Sequence, residues 1–227
     1  MTTVSHAARW PLWGLRISTP RLELRLGTED DLDQLAELAH AGIHDPSVQP
    51  FTAAWTDQDP QQRADATRQW HWTQRGAWRP DRWTCELVVR HNDRVIGTQG
   101  LGARDFAILR EVHTGSYLGR ESQGHGFGTE MRAAVLHLAF IGLAAQYATT
   151  SAHQDNLASQ GVSRKLGYDC DGVDRQVVRA APITIYRYRL DRERWAEHRS
   201  TDVEITGLEP CLPWFGLPTG GTRTNTT

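Results

Sequence analysis

The chain has 227 residues, a net charge of -2 and a pI near 6.5. That length suits one mid-sized domain with terminal additions, and it is enough to bury a core. The near-neutral balance argues against a nucleic-acid or membrane partner, since both usually leave a basic excess. Three scattered cysteines, Cys85, Cys170 and Cys211, make neither a disulfide framework nor a zinc spacing, so no metal is expected. A reducing cytoplasm fits them, and Arg9, Pro11 and Arg16 interrupt any apolar leader.

Residues 1–20 read as an N-terminal extension, with Trp10, Leu12, Trp13 and Leu15 packing down. Residues 21–199 read as the main domain. Arg21–Leu26 alternates as a half-buried strand does. Thr28 and Asp31 then form a helix cap, followed by an apolar stripe of Leu32, Leu35, Ala36, Ala39 and Ile43. Residues 44–60 are loop-like, with prolines at 46, 50 and 60. A polar helix follows over 61–74. Trp70, Trp72, Trp78 and Trp83 suit core or interface packing, or the wall of a cleft.

Strands are expected over 84–90 and 95–101, joined by a turn at Asn92-Asp93, and again over 112–118. A helix apolar on most sides follows Gly128 and runs to Leu143, which marks it as buried. A short strand covers 147–151 and a helix 157–166, stopped by Gly167. A late strand covers 183–190 and a short helix 192–199. Residues 200–217 read as a C-terminal extension, and 218–227 as an unstructured Thr/Gly/Asn tail. The order implies a mixed α/β, or α+β, layout around one sheet.

The chemical signal is Gln123-Gly124-His125-Gly126-Phe127-Gly128, after a strand and before the buried helix. Glycines there allow a tight turn and close approach to the main chain. Successive N–H groups at the positive end of a helix suit a pyrophosphate. A tight turn needing glycine for conformation alone is the competing reading. A dinucleotide fold is rejected: the turn follows several strands, and the next strand, 147–151, ends without an acidic residue.

Gln123, Gly126 and Gly128 fill the R/Q-x-x-G-x-G/A pattern of the GCN5-related N-acetyltransferase (GNAT) superfamily. Asp155–Ser159 followed by Arg164–Tyr168 resembles its later N-x-A-S…K-L-G-F/Y segment, and Thr19–Arg25 resembles the opening strand of its RimJ/RimL-type branch. The runs 10–15, 123–135 and 206–215 also resemble a mycobacterial member that uses succinyl-CoA.

The resemblance implies the GNAT fold, a mostly antiparallel central sheet flanked by helices, and acyl transfer from acetyl- or succinyl-CoA to a primary amine. The amine would belong to a protein N-terminus, a lysine or a small molecule, and the enzyme would be a homo-oligomer. By the same resemblance, N–H groups of Gly124, Gly126, Gly128 and Thr129 bind the pyrophosphate, flanked by Gln123, His125 and Phe127. Ser116, Tyr117 and Leu118 offer main-chain groups to the pantetheine and thioester. Asn156 and Ser159 hold the pantetheine, and Arg164 or Lys165 reaches the 3′-phosphate. His113 is the expected general base, ahead of Asp155 and Glu111. Ser163 stands where many members carry an acidic tyrosine, and is the candidate acid. A non-catalytic acyl-CoA sensor is the alternative.

Overall fold

A computed structural model describes residues 10–219. Nine strands form one sheet in the order β7-β8-β6-β5-β4-β3-β2-β1-β9. In chain order they are β1 (Arg16–Ser18), β2 (Glu23–Leu26), β3 (Arg82–His91), β4 (Arg94–Arg104), β5 (Glu111–Leu118), β6 (Tyr147–His153), β7 (Asp169–Val178), β8 (Ala181–Asp191) and β9 (Glu204–Thr206). Every pairing is antiparallel except β5 with β6.

Helices cover both faces: α1 (Glu29–Ala41) and α2 (Pro60–Gly76) on one, α3 (Phe127–His137) and α4 (Leu157–Lys165) on the other, with α5 (Arg192–His198) near the C-terminus. The first helix starts as its sequence dictates. The Thr28 hydroxyl accepts from the Asp31 N–H, and the Asp31 carboxylate accepts from the Thr28 N–H. Such a capping box stabilises a helix start by about 1 kcal/mol. Leu32 and Leu35 then meet Val88 and Val95 of the sheet. Arg63 of α2 donates to the carbonyls of Ala39 and His40, tying α2 to the end of α1.

The opposite face holds the main core, where Phe127, Met131, Val135 and Phe140 pack against Leu87, Leu101, Val112 and Leu118. The buried helix expected up to Leu143 is α-helical to His137 and continues as a π turn, Leu138–Gly142.

The expected hairpin at Asn92-Asp93 forms, with both residues at positive φ (48° and 61°). Three strands escape the periodicity reading. β1 and β9 lie in the two terminal segments expected to be extensions, yet they pair with each other and continue the sheet beyond β2. β7 mixes polar and apolar residues without regular alternation and is mostly exposed at the sheet edge, so periodicity does not mark it. The tail expected to be unstructured lies, from residue 220 onward, outside the described residues.

The tryptophans divide. Trp78 and Trp83 stack in the core against Phe215, their ring centroids 5.9 Å apart, while Trp70 and Trp72 are about half exposed on α2.

Candidate active site

Two features of the sheet open the site. β5 and β6 pair only from Glu111 to His113 against Tyr147 to Thr149. Beyond that, β5 continues through Ser116–Leu118 bound to β4 alone, and β6 continues bound to β8. The strands therefore part, leaving one edge of Ser116–Leu118 without a strand partner. The glycine turn follows directly and delivers the chain to α3.

In that turn Gly124 and Gly126 adopt φ values of 78° and 83°, the left-handed region that glycine enters without steric cost. The N–H groups of Gly124, His125, Gly126, Phe127 and Gly128 have no backbone or side-chain acceptor among the described residues. Five successive free donors at a helix start form an anion cradle. Thr129, expected to donate as well, differs: its N–H is taken by the Gly126 carbonyl at 3.1 Å.

The flanking side chains hold the turn in place. Gln123 donates to the carbonyls of Ile43 and Leu118, so it ties the turn to the loop after α1 and to the end of β5. Phe127 is buried, beneath the Arg21 guanidinium at 4.5 Å. His125 is exposed, and its carbonyl accepts from Arg21. Arg21 is a site residue that the sequence motifs did not single out. It pairs with Glu130 of α3 at 2.5 Å and lies beside Gly126, so a cation stands next to the cradle.

Across the cleft, the Asn156 side-chain oxygen caps α4 by accepting from the Ser159 N–H at 3.1 Å, so only its amide N–H₂ remains to face a ligand. Arg164 and Lys165 are both exposed on α4. Ser163 is fully buried, donates to the Ser159 carbonyl and accepts from Arg132 Nη1 at 3.1 Å. Arg132 reaches towards Ser116 with its other terminal nitrogen, at 3.5 Å. It is only 5% exposed and has no carboxylate partner among the described residues. A buried guanidinium without a counterion is costly, and burial holds its pKa below the ordinary arginine value. It places a positive charge behind Ser163, at the parting of the strands.

On the other face, α2, the 51–55 loop and strands β3–β5 enclose a cavity of about 440 Å³. Gly115, Ser116 and Tyr117 form one wall, so the cavity opens along the same stretch of β5 that borders the cleft. Phe51, Trp55 and Tyr117 cluster there, with ring centroids 5.5 Å apart between Trp55 and each neighbour. The loop is pinned by Asp57, which pairs with Arg179 of the β7–β8 turn at 2.5 Å.

Glu86 also lines the cavity and is a second residue that motif reading missed. It faces Gly100 across the β3–β4 pair, where an added Cβ would come within 2.6 Å of its carboxylate. Burial pushes its pKa up from 4.5 to about 7, against weaker opposing hydrogen bonds from Trp70 and Thr98. His113, expected to be the base, lies elsewhere. Its ring lies against Gly102, two residues further back along β5, and it does not line the cavity. The residue is exposed on its outer side, but desolvation where the ring covers the sheet, then the charge of Arg104, hold its pKa below the ordinary imidazole value. Glu111 pairs with Arg189 at 2.8 Å, and Asp155 is exposed in the turn before α4.

Among the described residues no cluster of histidine, cysteine and carboxylate side chains could hold a metal ion, and no helix is long and apolar enough to cross a membrane. Solved structures share the fold. RimJ from Mycobacterium smegmatis, in complex with CoA-disulfide, is 19% identical, with 81% of this chain and 89% of that chain covered and a TM-score of 0.66. RimL, a ribosomal L7/L12 α-N-protein acetyltransferase in complex with coenzyme A, is 16% identical over 76% and 95% of the two chains, at a TM-score of 0.60. The microcin C7 self-immunity acetyltransferase MccE, in complex with acetyl-CoA and AMP, is 13% identical over 76% and 93%, at 0.63. The acetyltransferase (GNAT) domain family matches residues 21–169. With the cradle, the parted strands and this match over most of its length, the chain belongs to the GNAT acetyltransferase family.

Proposed function

We propose that the protein transfers an acetyl group from acetyl-CoA to a primary amine, with Glu86 as the general base. The observation that carries this reading is the cavity wall. A carboxyl group with a pKa near 7 and the exposed stretch of β5 bound the same space. A base works best when its pKa lies near the operating pH. Glu86 is therefore placed to take a proton from the incoming ammonium, a role earlier expected of His113. The free amine attacks the thioester carbon, the C–S bond breaks, and coenzyme A leaves as the thiol. The N–H groups of Gly124–Gly128 support a bound pyrophosphate, and the unpartnered edge of Ser116–Leu118 supports the pantetheine arm.

Two charges bear on the acyl group and on its leaving partner. The cavity is lined by no lysine or arginine, and burial pushes the pKa of its one histidine, His71, down to about 3. A succinyl carboxylate entering it would have no cation to meet, which favours acetyl over succinyl. Behind the cleft, Arg132 offers positive charge towards the departing sulfur, while Ser163, expected as the acid, has its one proton engaged by the Ser159 carbonyl and serves to hold Arg132 in place.

The test is thiol release from acetyl-CoA and succinyl-CoA with an amine panel. Faster turnover with acetyl-CoA supports the reading. Faster turnover with succinyl-CoA would overturn the choice of donor. Tight binding of acyl-CoA with no thiol release under any condition would favour the sensor alternative.

A further inference from the structure

The cavity has a second property that acyl transfer alone does not require. Its walls carry a small and unbalanced set of polar groups. Glu86 is the one carboxylate among the described residues that line it, and no arginine or lysine does. His71 is 1% exposed, and neither ring nitrogen has a hydrogen-bond partner. Burial and the nearby Arg75 keep that imidazole neutral. The Tyr117 hydroxyl leans towards Thr67 but completes no hydrogen bond of good geometry. Around these groups stand the rings of Phe51, Trp55, Trp70 and Tyr117.

A buried charge needs a partner, so a carboxylate lining a cavity marks what a ligand is to supply. One carboxylate matches one ammonium. A second ammonium would find no second acid, and a carboxylate would find no cation; each would be buried unpaired at a large cost. The rings match a flat apolar body, stacked or edge-on. About 440 Å³ is room for a small molecule of that kind.

Resting on the acyltransfer reading, we propose that this cavity is the acceptor chamber and that it selects a small aromatic amine: one primary amine on an aryl or arylalkyl body, with no carboxylate. In the step itself the amine nitrogen forms the new N–C bond while the C–S bond breaks. The ammonium first gives one proton to the Glu86 carboxylate; the second proton, lost from nitrogen as the amide forms, goes to the departing sulfur, which carries the electron pair of the broken bond and leaves as the coenzyme A thiol.

The experiment uses the full chain with acetyl-CoA and follows thiol release with five acceptors: tyramine, tyrosine, hexylamine, spermidine and a peptide bearing a free N-terminus and one lysine. Tyramine is expected to exceed tyrosine and spermidine in kcat/KM by about 100-fold, the cost of one unpaired buried charge. It should exceed hexylamine by about 10-fold, the contribution of ring contacts. Trp55→Ala should lower kcat/KM for tyramine by about 10-fold and Trp55→Phe should restore most of it. Coenzyme A affinity, measured by calorimetry, reports that each variant is folded. The proposal is overturned if the peptide or spermidine is the best acceptor, or if Trp55→Ala leaves tyramine kinetics unchanged. In those cases acyl transfer itself still stands. Absence of thiol release with all five acceptors, despite coenzyme A binding, would instead remove the reading on which the proposal rests.

Discussion

Replacing Glu86 by glutamine separates catalysis from stability, because the structure predicts opposite signs for the two. Burial raises the folded-state pKa of Glu86 to about 7, from an ordinary value of 4.5. The unfolded chain therefore releases this proton first as pH rises. The folded state is relatively favoured while the group stays protonated, and loses that advantage between about pH 4.5 and pH 7. At about 1.4 kcal/mol per pH unit, the loss amounts to about 3 kcal/mol above pH 8. Glutamine keeps the shape and carries no charge, so Glu86→Gln should be more stable than the parent by up to that amount at pH 8.5. Near pH 4.5 the two should be nearly equal. For a chain of this size, about 3 kcal/mol corresponds to a Tm difference of roughly 6–12 °C.

Activity should move the other way. Loss of a general base lowers kcat by about 10²–10⁴-fold and removes the ascending limb near pH 7 from the pH profile of kcat/KM. Thermal melts at both pH values, together with thiol-release kinetics, test both halves. A Glu86→Gln variant that is destabilised at pH 8.5, or that keeps the ascending limb, would refute the reasoning. His113→Ala is the companion measurement: the limb should survive it, and its disappearance would return the base role to His113.

The remaining predictions concern the opposite side of the cleft. Gly126→Val forces a β-branched residue to a φ of 83° and distorts the cradle. Coenzyme A affinity by calorimetry should fall by about 100-fold or more, since several charge-assisted bonds are lost; retained affinity would remove the cradle from the binding argument. Arg132→Met replaces a buried cation lacking a counterion. Urea denaturation should show a gain of about 1–3 kcal/mol, while kcat falls by about 10²-fold as the charge behind Ser163 is lost. A variant that is both less stable and fully active would show that Arg132 serves only the fold. Arg21→Ala leaves the nearly buried Glu130 carboxylate without its cation and loosens the turn. It should cost about 1–3 kcal/mol in stability and weaken coenzyme A binding, which the same two measurements report.

Local chemistry made much of this molecule legible from sequence. The Thr28/Asp31 cap, the Asn92-Asp93 turn and the glycine turn before α3 are set by neighbours within a few residues. Such features depend on backbone preferences and short-range hydrogen bonds, which the residue order already contains. The family pattern in that turn is local for the same reason, since an anion cradle needs consecutive N–H groups.

What escaped the sequence depends on residues far apart in it. β1 and β9 are only three residues each, and they become strands because each end of the chain supplies the other's partner. β7 carries no apolar alternation, because an edge strand facing water needs none. Glu86 is one acid within the strand expected over 84–90, with no local sign of a special environment. Only the closure of α2 and the 51–55 loop over β3–β5 removes it from water and raises its pKa. Arg132 is not singled out in the buried helix, and only the parting of β5 from β6 places Ser116 and Ser163 around it. The sequence alone determined a run of glycine-rich main chain at the start of a buried helix, where a phosphate cradle is expected. The charge count of the chamber beside it was decided by tertiary structure, because burial is a property of the assembled layers and of no single segment.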